Sequence, residues 1–160
     1  MRLGFVPAEL QEKRMGLAYA RVKLANPKLP KLAPVEADAL ADTGSVHLCI
    51  PEHVAIQLKL EELERREATL ADGSRRVASY VGPLTIFVAN RSGFAGAMVL
   101  GDQVLLGLIA MEDMDLVVNP KTQRVIPNPA NPNIAGSIAM GARERKVPNS
   151  ARANTSSTEK

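Results

Sequence analysis

The sequence predicts an all-β fold, a compact barrel of short strands with one or two short helices. Short apolar segments rich in Val, Ile and Leu recur at close spacing, and Gly, Pro, Asn and Asp separate them. In the first of these segments Val22 and Leu24 alternate with Arg21 and Lys23, which is the period of a half-buried strand. A chain of 160 residues with 46% hydrophobic content suffices for the core of one domain.

The predicted strands follow one another along the chain, with turn residues at their ends. Prolines after the first strand enforce an extended loop, because Pro cannot donate to a strand ladder. An Asp-Gly turn joins two strands into a hairpin over residues 68–81, since it supplies the positive φ values of a tight reversal. The predicted strands and apolar runs are 17–24, 35–41, 46–50, 68–70, 75–81, 84–88, 94–100, 104–107, 116–118 and 124–126.

Two short helices are predicted between these strands. Pro51 suits the first position of a helix over residues 51–60. The second helix covers residues 108–114, and its methionines, Met111 and Met114, are expected to face inward.

Three polar segments are predicted to lie outside these elements. Residues 61–67 mix Glu with Arg, which is the usual composition of an exposed connection. Residues 1–14 precede the strand pattern and indicate an N-terminal extension. Residues 129–160, in which Asn, Pro, Ala, Ser and Thr replace the strand pattern, indicate a disordered tail. The sequence therefore predicts one domain, which covers residues 15–128.

The composition argues against several classes of function. The formal charge of +3 and the pI near 9.2 come largely from basic residues at the two ends, which is typical of solvated tails. With 3% aromatic residues and no Trp, no surface for stacking nucleic-acid bases is evident. Cys49 is the single cysteine, so no internal disulfide can form. No signal peptide is recognisable, and no apolar run approaches the length of about 18 residues that a membrane span requires. We expect a cytoplasmic protein that binds neither nucleic acid nor membrane.

The segment at 35–50 contains a polar interruption made by Asp42, Thr43, Gly44 and Ser45. Apolar strand patterns precede and follow it. A carboxylate beside buried strands is costly unless it is hydrogen-bonded, paired or protonated. Asp42 is therefore the first candidate for a functional residue.

This loop and three later features resemble the retropepsin-like aspartic proteases, the family of the retroviral proteases and of small bacterial proteins of that type. The resemblance covers residues 15–128 and implies a homodimeric β-barrel that cleaves a peptide or protein substrate, with one aspartate from each subunit and no cofactor. The matching features are the apolar-apolar-Asp-Thr-Gly-Ser loop at 40–45, Ile50-Pro51 before a short helix, the hairpin at 68–81 and the Leu105-Leu106-Gly107 run.

Counting the carboxylates leads to the same dimer. Aspartic protease chemistry needs two carboxylates that share a proton, one to activate a water and one to polarise the scissile carbonyl. This chain has one Asp-Thr-Gly. A two-fold axis beside Asp42 would bring two copies of it together, and the monomer should be inactive.

The neighbours of Asp42 have expected roles that the resemblance strengthens. The Thr43 hydroxyl would hydrogen-bond across the dimer axis, and Gly44 would let backbone N–H groups approach the carboxylates. Ser45 would add a donor to the outer carboxylate oxygen. Gly107, in the later apolar run, is expected to support the loop.

The resemblance also assigns a role to the hairpin at 68–81. It would be the flap that closes over a bound peptide and excludes water. Its tip would consist of Ala71, Asp72, Gly73 and Ser74.

Two alternatives remain open for Asp42. Its side chain can cap a turn by accepting from its own backbone, as Asp does in many Asp-x-Gly loops. The fold can also serve as a catalytically silent module that dimerises and holds an extended peptide by strand addition. Binding of a pepstatin-like inhibitor at acidic pH, together with peptide cleavage, distinguishes an enzyme from such a module.

Other polar groups have structural interpretations. His47, Cys49 and His53 invite a metal site, but no fourth ligand lies at a suitable spacing, and we predict none. Cys49 is expected to be a small core residue. The acidic residues of 112–115 are expected to form the solvated face of the second helix.

Overall fold

The computed structural model describes residues 17–142, and this part of the chain is mostly β, with two short helices. The prediction of an all-β barrel with one or two short helices is confirmed. Its strands are β1 (Tyr19–Ala25), β2 (Val35–Ala41), β3 (Leu48–Ile50), β4 (Glu61–Thr69), β5 (Arg75–Val88), β6 (Arg91–Val99), β7 (Val104–Leu106), β8 (Leu116–Asn119) and β9 (Arg124–Pro127). The helices are α1 (Glu52–Gln57) and α2 (Leu108–Asp113).

The strands form one sheet in the order β4-β5-β6-β3-β7-β2-β1-β9-β8. β1 also pairs with β5, where Lys23 lies opposite Phe87, and this pairing closes the sheet on itself. The closed ring therefore consists of β1, β2, β7, β3, β6 and β5. Closure removes the open edges where these six strands pair, while β4, residues 75–79 of β5 and the β8–β9 hairpin extend beyond the ring.

The barrel core is aliphatic, as the composition requires. Val22 and Leu24 are 1% and 0% exposed, whereas Arg21 and Lys23 point to solvent, so the predicted alternation in β1 is confirmed. Each such buried aliphatic side chain stabilises the fold by roughly 1.5–3 kcal/mol. The largest fully buried side chains are Leu24, Leu48, Ile50, Leu58, Leu84, Ile86, Leu106, Met114 and Val22.

Both helices are short turns that join barrel strands. α1 is shorter than the predicted 51–60, because Leu58 ends it with a backbone N–H to Val54 and the chain then turns through Lys59 at φ 51°. α2 begins after Gly107 as predicted, and Met111 and Met114 face the core. Neither helix in residues 17–142 has the length and apolar content of a transmembrane span.

The prediction of an exposed connection at 61–67 is wrong. These residues belong to β4, which pairs antiparallel with β5 from Glu61 opposite Gly82 to Thr69 opposite Arg75. Their charged side chains stay in water and pair with one another, as in Arg65–Glu62. Because both faces of most of this strand are exposed, it shows no apolar alternation that would have revealed it.

The predicted hairpin is correspondingly longer than 68–81. Its second arm continues through Gly82-Pro83 as the single strand β5, which the sequence divides into two predicted strands. The register of β5 against β6 shifts between Val81 and Leu84, so a bulge accommodates the Gly-Pro pair.

The C-terminal segment 128–136 has no helix or strand but is hydrogen-bonded to the rest of the fold. The Asp115 carboxylate accepts from Asn128 Nδ2 at 3.1 Å, Asn131 Nδ2 at 2.8 Å and the Gly136 N–H at 2.8 Å. The guanidinium of the buried Arg91 donates to the Asn131 carbonyl. The predicted domain boundary at residue 128 falls inside this network and stays a prediction. The predicted extension at 1–14 and the end of the predicted tail, 143–160, lie outside the described residues.

Candidate active site

Asp42 lies where β2 leaves the barrel. β2 runs parallel to β7, with Ala41 opposite Leu106, and the Asp42 N–H donates to the Leu106 carbonyl at 3.0 Å. The loop that follows closes with a bond from the Ser45 N–H to the Asp42 carbonyl at 3.1 Å. The barrel therefore fixes the backbone of Asp42, and the loop presents its side chain at one end of the barrel.

Each oxygen of the Asp42 carboxylate accepts one hydrogen bond from its own loop. The Gly44 N–H donates to Oδ1 at 3.0 Å, and the Ser45 hydroxyl donates to Oδ2 at 2.7 Å. A Cβ at Gly44 would lie 3.2 Å from Asp42 Oδ1, so glycine permits this close approach. These contacts orient the carboxylate while the side chain stays half-buried.

Gly107 supports this loop through close backbone packing. A Cβ at position 107 would overlap the carbonyl oxygen of His47, and the carbonyl of Ser45 lies 2.9 Å from the same point. The first N–H groups of α2 donate into the loop, Leu108 to the Ser45 carbonyl at 2.8 Å and Ile109 to the Val46 carbonyl at 3.1 Å. The Leu-Leu-Gly run and the Asp-Thr-Gly loop, far apart in sequence, therefore form one structural unit.

The outer face of this unit is exposed and partly apolar. Thr43 and Gly44 are exposed, and the Thr43 hydroxyl has no hydrogen-bond partner within residues 17–142. Val46 is 56% exposed, Ile109 49% and Leu108 38%. Exposed apolar side chains grouped around a polar loop are typical of a contact surface.

A second, smaller core cluster lies where the β4–β5 hairpin packs on β3, β6 and β7. Its buried members are Cys49, Ala78 and Met98. Burial raises the pKa of the Cys49 thiol, and the nearby charge of Asp42 raises it further. Cys49 is a buried core residue, as predicted, and it belongs to this smaller core cluster. Packed against it are Ala68, Tyr80, Leu100 and Leu105.

Three polar side chains connect the hairpin to the loop after Asp42. The Arg66 guanidinium, on β4, lies 3.7 Å from the centre of the Tyr80 ring on β5. Nη1 of Arg66 is 3.4 Å from Nε2 of His47, and the rings of His47 and Tyr80 make an edge contact at 5.6 Å. We refer to these residues as the Arg66–His47–Tyr80 cluster. Gly96 leaves the space that the Tyr80 ring occupies.

Sequence reasoning missed this cluster, because Arg66 belongs to the strand that was interpreted as a connection. Recognising β4 would have placed Arg66 opposite Ala78 and on one face with Tyr80. Burial lowers the pKa of His47, and the Arg66 charge lowers it further, so the neutral imidazole predominates at pH 7.

The predicted flap tip is a tight, exposed turn. Gly73 has φ 82°, as the predicted Asp-Gly reversal requires, and its N–H donates to the Leu70 carbonyl at 2.9 Å. Asp72 accepts from the Ser74 N–H at 2.9 Å and the Ser74 hydroxyl at 2.6 Å. The Ser74 hydroxyl and then its N–H lower the pKa of Asp72. Ala71 completes the tip, and the Asp72 carboxylate is engaged within it.

The predicted metal candidates do not assemble into a ligand set. Residues 17–142 contain no group of three or more His, Cys, Asp or Glu side chains arranged to hold a metal ion. His47 contacts Arg66, and the Cys49 thiol approaches the His47 carbonyl at 3.7 Å.

Comparison with known proteins gives structural likenesses but no match in sequence. No protein-family model matches the sequence, and no curated protein matches it. Among solved structures, the solution structure of the simian foamy virus (mac) protease is similar with a TM-score of 0.42 and 16% identity. The match covers 58% of this chain and 90% of that chain. A likeness this distant assigns neither an activity nor a residue role to this chain.

Proposed function

We propose that the protein is an aspartic endopeptidase that works as a homodimer, with one Asp42 from each subunit at its centre. The observation that carries this proposal is the Asp42 carboxylate itself. Its two oxygens are held by Gly44 and Ser45, and it sits on an exposed loop that is braced by the barrel and by α2. A residue that served only to cap its turn would need the Gly44 bond, but not the brace or the exposed apolar surface around it.

The second copy is required by the chemistry and fits the surface. Peptide hydrolysis of this type needs a second carboxylate, and the chain contains one Asp-Thr-Gly. A two-fold axis beside Thr43 would bury the exposed side chains of Val46, Leu108 and Ile109 of both copies. It would also give the Thr43 hydroxyl a partner in the other subunit.

The proposed reaction uses the pair with one shared proton. The ionised Asp42 takes a proton from a water, whose oxygen attacks the scissile carbonyl carbon. The protonated Asp42 of the other copy donates to the carbonyl oxygen. The tetrahedral intermediate collapses when its C–N bond breaks. The proton that Asp42 took from the water passes to the leaving amine, and a hydroxyl of the intermediate returns a proton to the Asp42 of the other copy, which restores the shared proton. Ser45 and Gly44 hold the carboxylates in place, while the β4–β5 hairpin covers the bound peptide and excludes water.

Substitution of the proposed catalytic residue tests this assignment. Asp42→Asn keeps the size of the side chain but removes its basicity, so cleavage of a peptide library should fall by about 10³-fold or more. The variant should remain a dimer in analytical ultracentrifugation. Asp115 is another half-buried aspartate that accepts several hydrogen bonds, so Asp115→Asn is the matched control. This variant should keep its cleavage activity. Undiminished cleavage by Asp42→Asn would refute the assignment.

A catalytically silent peptide-binding module is the second candidate, and one observation favours it. Residues 75–79 of β5 pair with β4 on one side, but on the other side they have no strand partner within residues 17–142. Such an edge can hold an extended peptide by strand addition. If the wild type and Asp42→Asn bind a peptide equally and neither cleaves it, this alternative is correct.

A further inference from the structure

We propose that Arg66 is a positioning residue that holds the β4–β5 hairpin against the Asp42 loop while His47 is neutral, and that protonation of His47 releases the hairpin. This inference rests on the proposed function, because it concerns access to the same site. It stands on contacts that connect three separate parts of the chain.

The hairpin extends beyond the closed barrel, where it is held by the apolar packing of Ala68, Ala78 and Tyr80 and by the contacts of Arg66. β4 pairs only with β5, and β5 pairs with β6 from Tyr80 onward, opposite Met98. Beyond that point, towards the exposed tip at residues 71–74, the hairpin consists of two strands. A two-stranded ribbon is marginally stable in water, so contacts on its inner face decide how closely it approaches the loop.

Arg66 provides such contacts. It is half-buried, it stacks on Tyr80 and it pairs with Glu64 on its own strand. The remaining contact crosses to His47 in the loop. Within the hairpin, the stack and the ion pair orient the guanidinium. The His47 contact, together with the edge contact between the His47 and Tyr80 rings, therefore joins the hairpin to the Asp42 loop.

The His47 backbone cannot move with the hairpin, because Gly107 packs closely on its carbonyl. Its ring is the adjustable part. A neutral imidazole accepts an N–H from Arg66 through the Nε2 lone pair, whereas the protonated ring has no lone pair and carries a positive charge. Two cations would then lie 3.4 Å apart, so protonation turns an attraction into a repulsion.

The charged and titratable groups around His47 are consistent with a repulsion between protonated His47 and Arg66. Arg66 and Glu64 lie on β4, Tyr80 on β5 and Cys49 on β3, while Asp42 belongs to the same loop. Glu64 is engaged by Arg66, and the Asp42 oxygens are engaged by Gly44 and Ser45. Burial and the Arg66 charge hold the pKa of His47 below its ordinary value, so release begins on the acid side of neutrality.

Hydrogen–deuterium exchange of residues 61–81 tests the inference without any need for activity. The rates, corrected for the intrinsic effect of pH, are compared at pH 7.5 and pH 5 in the full chain. We expect the wild-type hairpin to be protected at pH 7.5 and to lose protection at pH 5. Arg66→Ala should be unprotected at both pH values. Arg65→Ala is the matched control, because Arg65 is exposed and lies on the opposite face of the same strand.

Two further variants separate positioning from general destabilisation. His47→Gln offers a neutral amide that does not titrate, and its hairpin should remain protected at both pH values. Arg66→Lys keeps the charge but loses the planar stack, so it should be intermediate. Equal behaviour of Arg66→Ala and Arg65→Ala, or an unchanged pH response in His47→Gln, would overturn the inference.

The kinetic experiment links the hairpin to the proposed function. In Arg66→Ala we expect KM to rise by about tenfold at pH 7.5, with little change in kcat, which corresponds to the loss of one partly desolvated cation–π contact. A protein that shows the exchange pattern but cleaves nothing would retain the hairpin mechanism and refute the protease. If the protein cleaves peptides but Arg66→Ala and Arg65→Ala do not differ, the protease proposal is retained and the hairpin mechanism is refuted.

Discussion

Asp42 and Asp115 are both half-buried aspartates that accept a glycine N–H, yet they differ in where their other donors come from. The donors to Asp42 lie two and three residues further along the same loop. The donors to Asp115 lie up to 21 residues away, in the C-terminal segment 128–136. The side chain of Asp115 therefore connects two parts of the fold, whereas the side chain of Asp42 is hydrogen-bonded only within its own turn.

The surroundings of the two carboxylates show the same contrast. Three donors surround Asp115, and they lower its pKa, with the Gly136 N–H as the largest cause, followed by Asn128 and Asn131. Asp42 has one donor on each oxygen and lies beside exposed apolar side chains. Charge on Asp115 thus serves the fold. The hydrogen bonds of the Asp42 carboxylate stay within its own loop, which leaves this group available for the proposed chemistry.

The largest expected effect on stability is a difference between Gly107, which supports the Asp42 loop, and Gly136, whose N–H donates to Asp115. A Cβ at Gly107 would overlap the backbone of His47, whereas a Cβ at Gly136 would meet the flexible end of the Asn131 side chain. Gly107→Ala should therefore lower the free energy of unfolding by about 1–3 kcal/mol or more. Gly136→Ala should cost less than about 1 kcal/mol. Urea denaturation of both variants measures the difference, and equal costs would contradict the proposed bracing of the Asp42 loop.

The next effect concerns the segment that Asp115 holds. Asp115→Ala removes the acceptor for Asn128, Asn131 and Gly136, so residues 128–136 should become accessible to proteinase K and to deuterium exchange. Asp42→Ala, the matched control, should leave this segment as protected as in the wild type. Release of the segment by both variants would mean that the two aspartates are coupled.

The smallest expected effect is a pair of pH dependences in thermal stability. The folded pKa of Asp115 is below its ordinary value of 3.8, so its stabilisation is present above that pH and is lost as the pH falls through the folded value. His47 also has a lowered pKa, below 6.5, but here the protonated form is disfavoured in the folded state. Its effect therefore appears at a higher pH than the effect of Asp115, as a loss of stability when the pH falls below about 6.5.

Melting temperatures between pH 3 and pH 8 can resolve these contributions. Asp115→Asn should flatten the profile at the acid end, and His47→Gln should flatten it just below neutrality. If either variant retains the full wild-type dependence in its own range, the titration assigned to that residue is wrong.

Sequence reasoning could find the strands with an apolar face and the Asp-Thr-Gly loop, because both depend on local patterns. It could not find β4, since a strand with both faces largely in water has no such pattern. The connection of Arg66 to His47 was missed for the same reason. Asp115 was interpreted as part of a solvated helix face, because its donors lie 13 to 21 residues away, in a segment without strand or helix pattern.

The proposed interface around Thr43 could not be predicted from contacts within one chain. It depends on a second copy, and the exposed side chains of Val46, Leu108 and Ile109 indicate where that copy would lie. No contact within one chain can establish it. Subunit mixing addresses it directly.

The most direct test of the shared site is to mix wild-type and Asp42→Asn subunits at a constant total concentration and to measure cleavage after exchange. If each active site needs Asp42 from both copies, activity should follow the square of the wild-type fraction, so an equal mixture should retain about one quarter of it. If each chain contains a complete site, activity should fall in proportion, and the equal mixture should retain about one half. We predict that the equal mixture retains about one quarter of the activity. Retention of about one half would contradict a site shared between two copies.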